Sequence, residues 1–180
     1  MVNKLMSLSW VFQKYSVSHA NLIRKLDHSG IKGPLLHWFI IYLGNRLQRV
    51  VIDGESSDWL TVTSGVPQCS LLGPALFVSY INDIPSVLSR SSTLALFADD
   101  AKCFCAIRSH TDCALLQDNI DKVDWSENWK MASNIDKCSL CTVTRKCNPV
   151  ICNYKMGGTI LNRVGAQRDL GVLVRYSQLQ

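Results

Sequence analysis

Two adjacent acidic residues, Asp99-Asp100, stand between the apolar runs Leu94-Ala95-Leu96-Phe97-Ala98 and Ala101-Lys102-Cys103-Phe104. Short apolar runs of this length read as buried strands, and a polar pair between them predicts a tight hairpin over roughly residues 93–107. That places two carboxylates at one hairpin tip. Like charges this close repel and share protons, so the arrangement works against stability. It suits a hard cation, because Mg²⁺ takes oxygen ligands and is commonly held by one or two carboxylates plus substrate phosphates. A solvated Asp-Asp turn is the other reading of the pair taken alone.

The chain has 180 residues, long enough for one modest domain with a real core. With 47% hydrophobic and 18% charged residues it belongs with soluble globular proteins, not disordered tails. A formal net charge of +5 is compatible with a polyanionic partner, yet no dense Lys/Arg run marks an electrostatic arm. No stretch approaches the roughly 18 uninterrupted apolar residues of a membrane span, so no membrane partner is expected. The N-terminus carries one Lys before a short apolar run, but Gln13 and Lys14 follow without a small-residue cleavage site, which argues against secretion. The eight cysteines therefore read as reduced thiols of an intracellular protein, nuclear or cytoplasmic.

Along the chain, Leu22, Ile23 and Leu26 share a helical face over residues 18–29, and Gly30 sits where a glycine cap belongs. Gly33-Pro34 opens a second helix with Leu35, Leu36, Phe39, Ile40 and Leu43 on its apolar face, stopped by Gly44. Arg46–Asp53 and Trp59–Thr63 read as a basic hairpin, and 64–70 as a loop. Gly73-Pro74 starts a third helix that buries Leu76, Phe77, Tyr80, Ile81 and Ile84. Thr111-Asp112 signals the start of a long helix to about Lys130 with Leu116, Ile120 and Val123 in register. Short strands follow near 139–144, 150–155 and 160–164, and Asp169–Val174 forms the last. The pattern is one α+β domain with no internal repeat.

Three pieces, taken in order, resemble one family. Ser64-Gly65-Val66-Pro67-Gln68-Cys69-Ser70-Leu71-Leu72-Gly73-Pro74, with Leu76-Phe77 and Tyr80-Ile81-Asn82-Asp83-Ile84, resembles the SGVPQGS…LGPLLF…YINDL stretch of reverse transcriptases. Phe97-Ala98-Asp99-Asp100 resembles their FADD motif, and Trp129-Lys130-Met131 with Asn134 and Lys137-Cys138 resembles the later W…N…KC segment. The flavour is that of a non-LTR retrotransposon. The likeness runs from about residue 15 to 174, leaving a divergent segment over 1–14 and a tail over 175–180.

The resemblance implies a polymerase palm, a small antiparallel sheet backed by helices, with fingers and thumb missing. It implies RNA-templated addition of deoxynucleotides to a DNA primer, supported by two Mg²⁺ (or Mn²⁺) ions about 4 Å apart. Asp99 and Asp100 would be the catalytic, metal-holding carboxylates, Asp100 with the less defined role. Gly65, Val66, Pro67 and Gln68 would pack the templating base and incoming nucleotide: Gly allows close approach, Pro sets the turn, and Gln offers an amide. Lys137 would be a basic group near the triphosphate, or an ordinary solvated lysine.

Two departures matter. The family's first motif reads like D-F-S-K-A-F-D-S-V-S-H, and counting back from His19 puts its essential aspartate on Ser9 and its second on Tyr15. A neutral hydroxyl cannot replace a carboxylate that bridges two Mg²⁺ ions, so this chain alone is expected not to polymerise. A remnant that at most binds nucleic acid is the alternative. Cys69 stands where the family has Gly, where a positive φ would strain any side chain.

Cys138-x₂-Cys141 with Cys147 and Cys152 has the outline of a four-thiolate zinc site, but the strand-like alternation around Cys141 favours buried thiols. His19, His28, His37 and His110 are scattered with no triad-like context. Trp59, Trp125 and Trp129 could stack bases, though Trp125 and Trp129 suit packing of the long helix better.

Overall fold

A computed structural model of the chain describes residues 5–11, 16–89, 91–124, 134–144, 150–169 and 172–175. The fold is α+β and comprises two compact units. The first unit takes residues 1–13, 83–126 and 132–180, and the second takes 14–82 and 127–131.

The first unit is built on a five-stranded sheet. Its strands are β1 (Leu5–Val11), β6 (Ser92–Phe97), β7 (Asp100–Ala106), β8 (Ser139–Val143) and β11 (Asn162–Val164). Their order across the sheet is β11-β8-β1-β7-β6. All neighbours are antiparallel except β8 and β11, which run parallel, so the sheet is mixed rather than purely antiparallel. The N-terminal apolar run is therefore the central strand. It pairs with β7 from Leu5↔Ala106 to Val11↔Asp100 and with β8 from Leu5↔Val143 to Ser9↔Ser139.

Period-two burial explains which face of the sheet packs. Ala101, Cys103 and Cys105 on β7 are buried, as are Met6 and Leu8 on β1 and Leu140 on β8. The helix α4 (His110–Asp124) runs beside β7 and supplies Cys113, Leu116, Ile120 and Val123 to the core. Burial pushes the Cys103 thiol up to about 11 and the Cys105 thiol upward too, as desolvation disfavours a thiolate. Asn119, buried on α4, accepts from the Ser89 amide and donates to the hydroxyls of Ser89 and Ser92, fastening the helix to the entry of β6.

The helix expected from Thr111-Asp112 begins one residue earlier. Ser109 is the cap: its hydroxyl accepts from the Asp112 amide at 3.3 Å, while Asp112 Oδ2 accepts from the Arg108 and Ser109 amides at 2.7 and 2.9 Å. This reciprocal capping box holds the Asp112 carboxyl below its ordinary range, first through the Arg108 amide. The segment to Lys130, with Trp125 and Trp129, lies outside the described residues.

After β8 the expected strand over 150–155 reduces to β9 (Lys155–Met156), which turns through Gly157-Gly158 into β10 (Thr159–Ile160). The closing strand has its own partner: β12 (Ala166–Asp169) pairs with β13 (Val172–Arg175) as a separate hairpin.

The second unit holds α1 (His19–His28), α2 (Gly33–Leu43) and α3 (Leu72–Ile81). Ser18 caps α1, and, as the sequence predicts, Pro34 occupies the first turn of α2 and Gly44 ends it. On α3 the expected residues Leu76, Phe77, Tyr80 and Ile81 are buried. The α2 face is narrower than its periodicity predicts, since only Phe39 and Leu43 are buried while Leu35 and Ile40 stay exposed. Lys25 clamps α1 to α3, donating from Nζ to the Tyr80 carbonyl at 2.6 Å with its ammonium 4.8 Å from the centre of the Tyr80 ring.

The predicted long hairpin over 46–63 breaks into two short ladders. The strands β2 (Leu47–Gln48) and β5 (Leu60–Thr61) pair at its base, and β3 (Val51–Ile52) and β4 (Glu55–Ser56) at its tip. Asp53 and Gly54 both have positive φ, the two-residue turn that matches strand twist.

Candidate active site

The predicted hairpin forms with its tip where expected. Phe97 pairs with Asp100, leaving Ala98 and Asp99 as the two central turn residues. Ala98 has φ 50° while Asp99 does not have a positive φ, so the left-handed strain of the turn falls on the alanine. A left-handed alanine costs about 1 kcal/mol, and the ladders on both sides of β7 hold it there.

The register places the other residues of this end of the sheet. The C-terminal end of β1 meets the start of β7, and the start of β8 lies on the other side of β1. Ser9 pairs with Lys102 on β7 and Ser139 on β8. Cross-strand partners leave the sheet on the same face, so Ser9, Lys102 and Ser139 form a row on the face opposite the buried Ala101, Cys103 and Cys105. Asp100 shares that face as the diagonal neighbour of Ser9, roughly 7–8 Å away. The short 3₁₀ helix Ile135–Lys137 leads directly into β8, so the exposed Lys137 belongs to the same end of the sheet. Ser9, the adjacent pair Asp99-Asp100 and Lys137 thus come from three separated stretches of the chain to one sheet end.

Ser9 is only 7% exposed and its hydroxyl is without a hydrogen-bond partner, as is that of Ser7 on the same face. An unsatisfied buried hydroxyl costs free energy, on the order of 1–3 kcal/mol. Burial raises the Cys141 thiol, opposed by a hydrogen bond from the Thr142 backbone and by the positive charges of Arg163 and Lys102. Two carboxylates at a turn tip suit one divalent ion completed by water. With a serine and a paired lysine at the third corner, the donor set does not fit a bridged pair of ions.

The Gly65-Val66-Pro67-Gln68 loop belongs to the second unit and is tied to the entry of α1. The Gly65 amide donates to the Val17 carbonyl at 2.8 Å, and His19 Nε2 donates to the Gly65 carbonyl at 2.8 Å. Gly65 has φ 85°, which glycine alone adopts without strain, and Gly65, Val66 and Pro67 are buried while Gln68 is exposed. Sequence reasoning missed the part played by His19, because its partner is a backbone carbonyl that no side-chain motif reveals.

Downstream, the Ser70 hydroxyl donates to the Pro67 carbonyl at 2.8 Å and accepts from the Gly73 amide at 2.9 Å. Cys69 has φ 58°, the strained conformation its replacement of glycine implies. Cys69→Gly is expected to stabilise the chain by about 0.5–1 kcal/mol, the relief of left-handed strain less the greater freedom of glycine in the unfolded state. A urea midpoint raised at constant slope is the readout; an unchanged midpoint would mean the backbone there carries no strain.

The cysteines sort differently from their spacing. Cys138 and Cys141 are buried thiols that form no disulfide, the former donating to the Asn134 carbonyl at 3.2 Å, and Cys147 lies outside the described residues. Cys113 and Cys152 form a disulfide, so the expectation of uniformly reduced thiols is corrected at this pair. Trp59 is exposed, with the Arg49 guanidinium 4.6 Å from its ring centre, a cation–π pair on the β5 side of the second unit.

The comparison with known proteins decides the family. Residues 14–163 match the model of the reverse transcriptase (RNA-dependent DNA polymerase) family. The chain belongs to that family. Two curated relatives are RNA-directed DNA polymerases from the mobile element jockey, each 30% identical over 73% of this chain, in Drosophila melanogaster and Drosophila funebris. A probable RNA-directed DNA polymerase from the Drosophila melanogaster transposon X-element is 32% identical over 72% of it. This chain spans 15% of the length of each of these relatives. It is a reverse transcriptase domain of the non-LTR retrotransposon type. The family match begins at residue 14, after β1, so the sheet's central strand lies outside the matched span. No helix among the described residues is long and apolar enough to cross a membrane.

Proposed function

We propose that this domain is the palm segment of an RNA-directed DNA polymerase whose ancestral reaction extends a DNA primer on an RNA template with deoxynucleotides. In the intact family Asp99, Asp100 and a third carboxylate at the position of Ser9 would hold two Mg²⁺ or Mn²⁺ ions, which would supply positive charge for the primer hydroxyl and the leaving pyrophosphate. In this reading Asp99 and Asp100 are its surviving metal-holding carboxylates, Lys137 faces the triphosphate, and Gly65–Gln68 contact template and nucleotide. Residues 15–174 make up the partial palm, with the remaining fingers and thumb contributed by segments outside this chain.

We propose further that the chain as it stands does not polymerise. The observation that carries this is the register of β1, which sets Ser9 beside the Asp99-Asp100 hairpin with Lys102 as its cross-strand partner. A serine there leaves one corner of the cluster uncharged, and the lysine adds a positive charge where a cation would need a negative one. In this reading the chain keeps at most the capacity to bind nucleic acid.

Template-dependent extension of a DNA primer on RNA, with Mg²⁺ or with Mn²⁺, is the test. No product above background is expected from the unmodified chain. Extension that Asp99→Asn abolishes would sink the proposal of inactivity. Binding to an RNA–DNA hybrid is expected at low salt, with log affinity falling linearly against log salt by roughly 0.9 per phosphate neutralised. Absence of binding at low salt would remove the nucleic-acid role as well.

A further inference from the structure

The first turn of α4 and the segment before β9 bring together three side chains that are far apart in the sequence. His110 and Cys113 stand one helical turn apart, and Cys113 is joined to Cys152 across a separation of 39 residues. His110 Nδ1 lies 3.8 Å from Cys152 Sγ, and the nitrogen and both sulfurs lie within 4.8 Å of one another. Among the described residues this is the group of His, Cys, Asp and Glu side chains compact enough to share a metal ion. Of the four cysteines whose spacing outlines a zinc site, Cys138 and Cys141 join no such group among the described residues, and Cys147 lies outside them.

The backbone around the group is held by bonds that do not involve the sulfurs. The Ser109–Asp112 capping box sets the first turn of α4. One turn beyond Cys113, Gln117 donates to the Lys155 carbonyl and accepts from the Lys155 amide, both at 2.9 Å. Arg163 Nη2 donates to the Cys152 carbonyl at 3.0 Å. The three side chains would therefore stay near one another with the sulfur–sulfur bond broken.

We propose that in the reduced chain His110, Cys113 and Cys152 bind one Zn²⁺ ion, which replaces the disulfide as the tie between α4 and the 152–156 segment. The ligand chemistry is that of zinc: one imidazole nitrogen and two thiolates make a borderline-soft set. In a tetrahedral zinc site with the usual bond lengths, nitrogen and sulfur ligands stand about 3.6 Å apart, close to the His110–Cys152 spacing. Cys113 sits in the first turns of a helix, where the dipole favours a thiolate. Cys113 is buried, Cys152 half-buried and His110 exposed, so water reaches the fourth coordination position.

The chemistry balances. A thiol or phosphine reductant gives two electrons to the Cys113–Cys152 bond, and each sulfur takes up a proton; a phosphine leaves as its oxide, with oxygen from water. On metal binding the two thiols release those protons to solvent, and neutral His110 offers its Nδ1 lone pair. Disulfide and metal are thus exclusive states of one site, selected by reductant and by zinc supply.

The full chain, reduced with a phosphine and titrated with Co²⁺ as a spectroscopic stand-in, tests this. One equivalent is expected to produce thiolate-to-cobalt charge-transfer bands and the intense visible bands of tetrahedral cobalt, all lost on adding Zn²⁺. The oxidised chain gives none. Cys113→Ser and Cys152→Ser lose the charge-transfer bands, His110→Ala loses the tetrahedral pattern, and Cys138→Ser keeps both. Alkylation mapped on the unmutated reduced chain guards against variants that fail to fold. Zinc is expected to protect Cys113 and Cys152 together while exposed Cys69 stays reactive. Absence of cobalt bands, their persistence in Cys113→Ser, or protection confined to Cys138 and Cys141 would overturn the proposal.

Discussion

Removing residues 1–11 is expected to abolish cooperative folding of the five-stranded sheet. The family match begins only at residue 14, so a domain trimmed to it would lack β1 entirely. Yet β1 is central: seven of its residues pair with β7 and five with β8. Without it two strands lose their shared neighbour, and their backbone amides and carbonyls face one another across a gap. Met6 and Leu8, both fully buried, leave with it. Truncating one such side chain costs about 2–5 kcal/mol, so the loss of two reaches the whole net stability of a typical domain, about 5–15 kcal/mol. Hydrogen exchange is the measurement. Amides of 100–106 and 139–143 are expected to be protected in the full chain and to exchange freely in the truncated one. Retained protection at β7 and β8 would refute the central role of β1.

Gly73→Ala is the second large effect. A Cβ at Gly73 would stand 2.2 Å from the Pro67 carbonyl oxygen and 3.1 Å from the Ser70 hydroxyl. The first of these is backbone, held by the bond from Ser70 Oγ, so it cannot swing aside as a side chain would. Either the Gly65–Gln68 loop moves or the first turn of α3 unwinds. A cost of about 3 kcal/mol is expected, at the upper end for overpacking, with a fall in nucleic-acid affinity if the loop contacts the template. Thermal and urea unfolding give the first number and hybrid binding the second. A variant as stable as the parent would show that the loop has another arrangement of equal energy.

Both effects concern residues whose importance differs in how legible it was. Gly73 belongs to a motif visible in the chain, and its neighbours Gly65, Pro67 and Cys69 advertise a constrained loop by residue type alone. The conformation at Cys69 followed from its standing where a glycine is needed, and its positive φ agrees. The helices α1, α2 and α3 were legible for a related reason. Their signals are local: apolar residues at helical spacing, proline in a first turn, glycine or serine at an end.

The β1 strand had no such local signal. A short, mostly apolar run of this kind can be a strand, a helix turn or part of a leader, and its pairing partners lie 89–101 and 130–138 residues away in sequence. The 46–63 hairpin failed for a different reason. Alternation predicted a continuous ladder, but its strands are exposed on both sides, and without a buried face nothing enforces pairing along their whole length. The α2 stripe was overestimated because periodicity marks which residues could be buried, not how wide a face the neighbouring helix covers.

The family, the two-carboxylate hairpin and the absence of an aspartate at position 9 are legible in the residues alone, because each is carried by residue types in a short, ordered stretch. What surrounds those residues follows from how the folded chain packs. That packing sets Ser9 opposite Lys102, makes the N-terminal run the middle of the sheet, and brings His110 and Cys113 to Cys152. These are matters of strand register and of contacts between distant segments. They depend on which apolar faces find one another when the chain collapses, and no local pattern of residues records that choice.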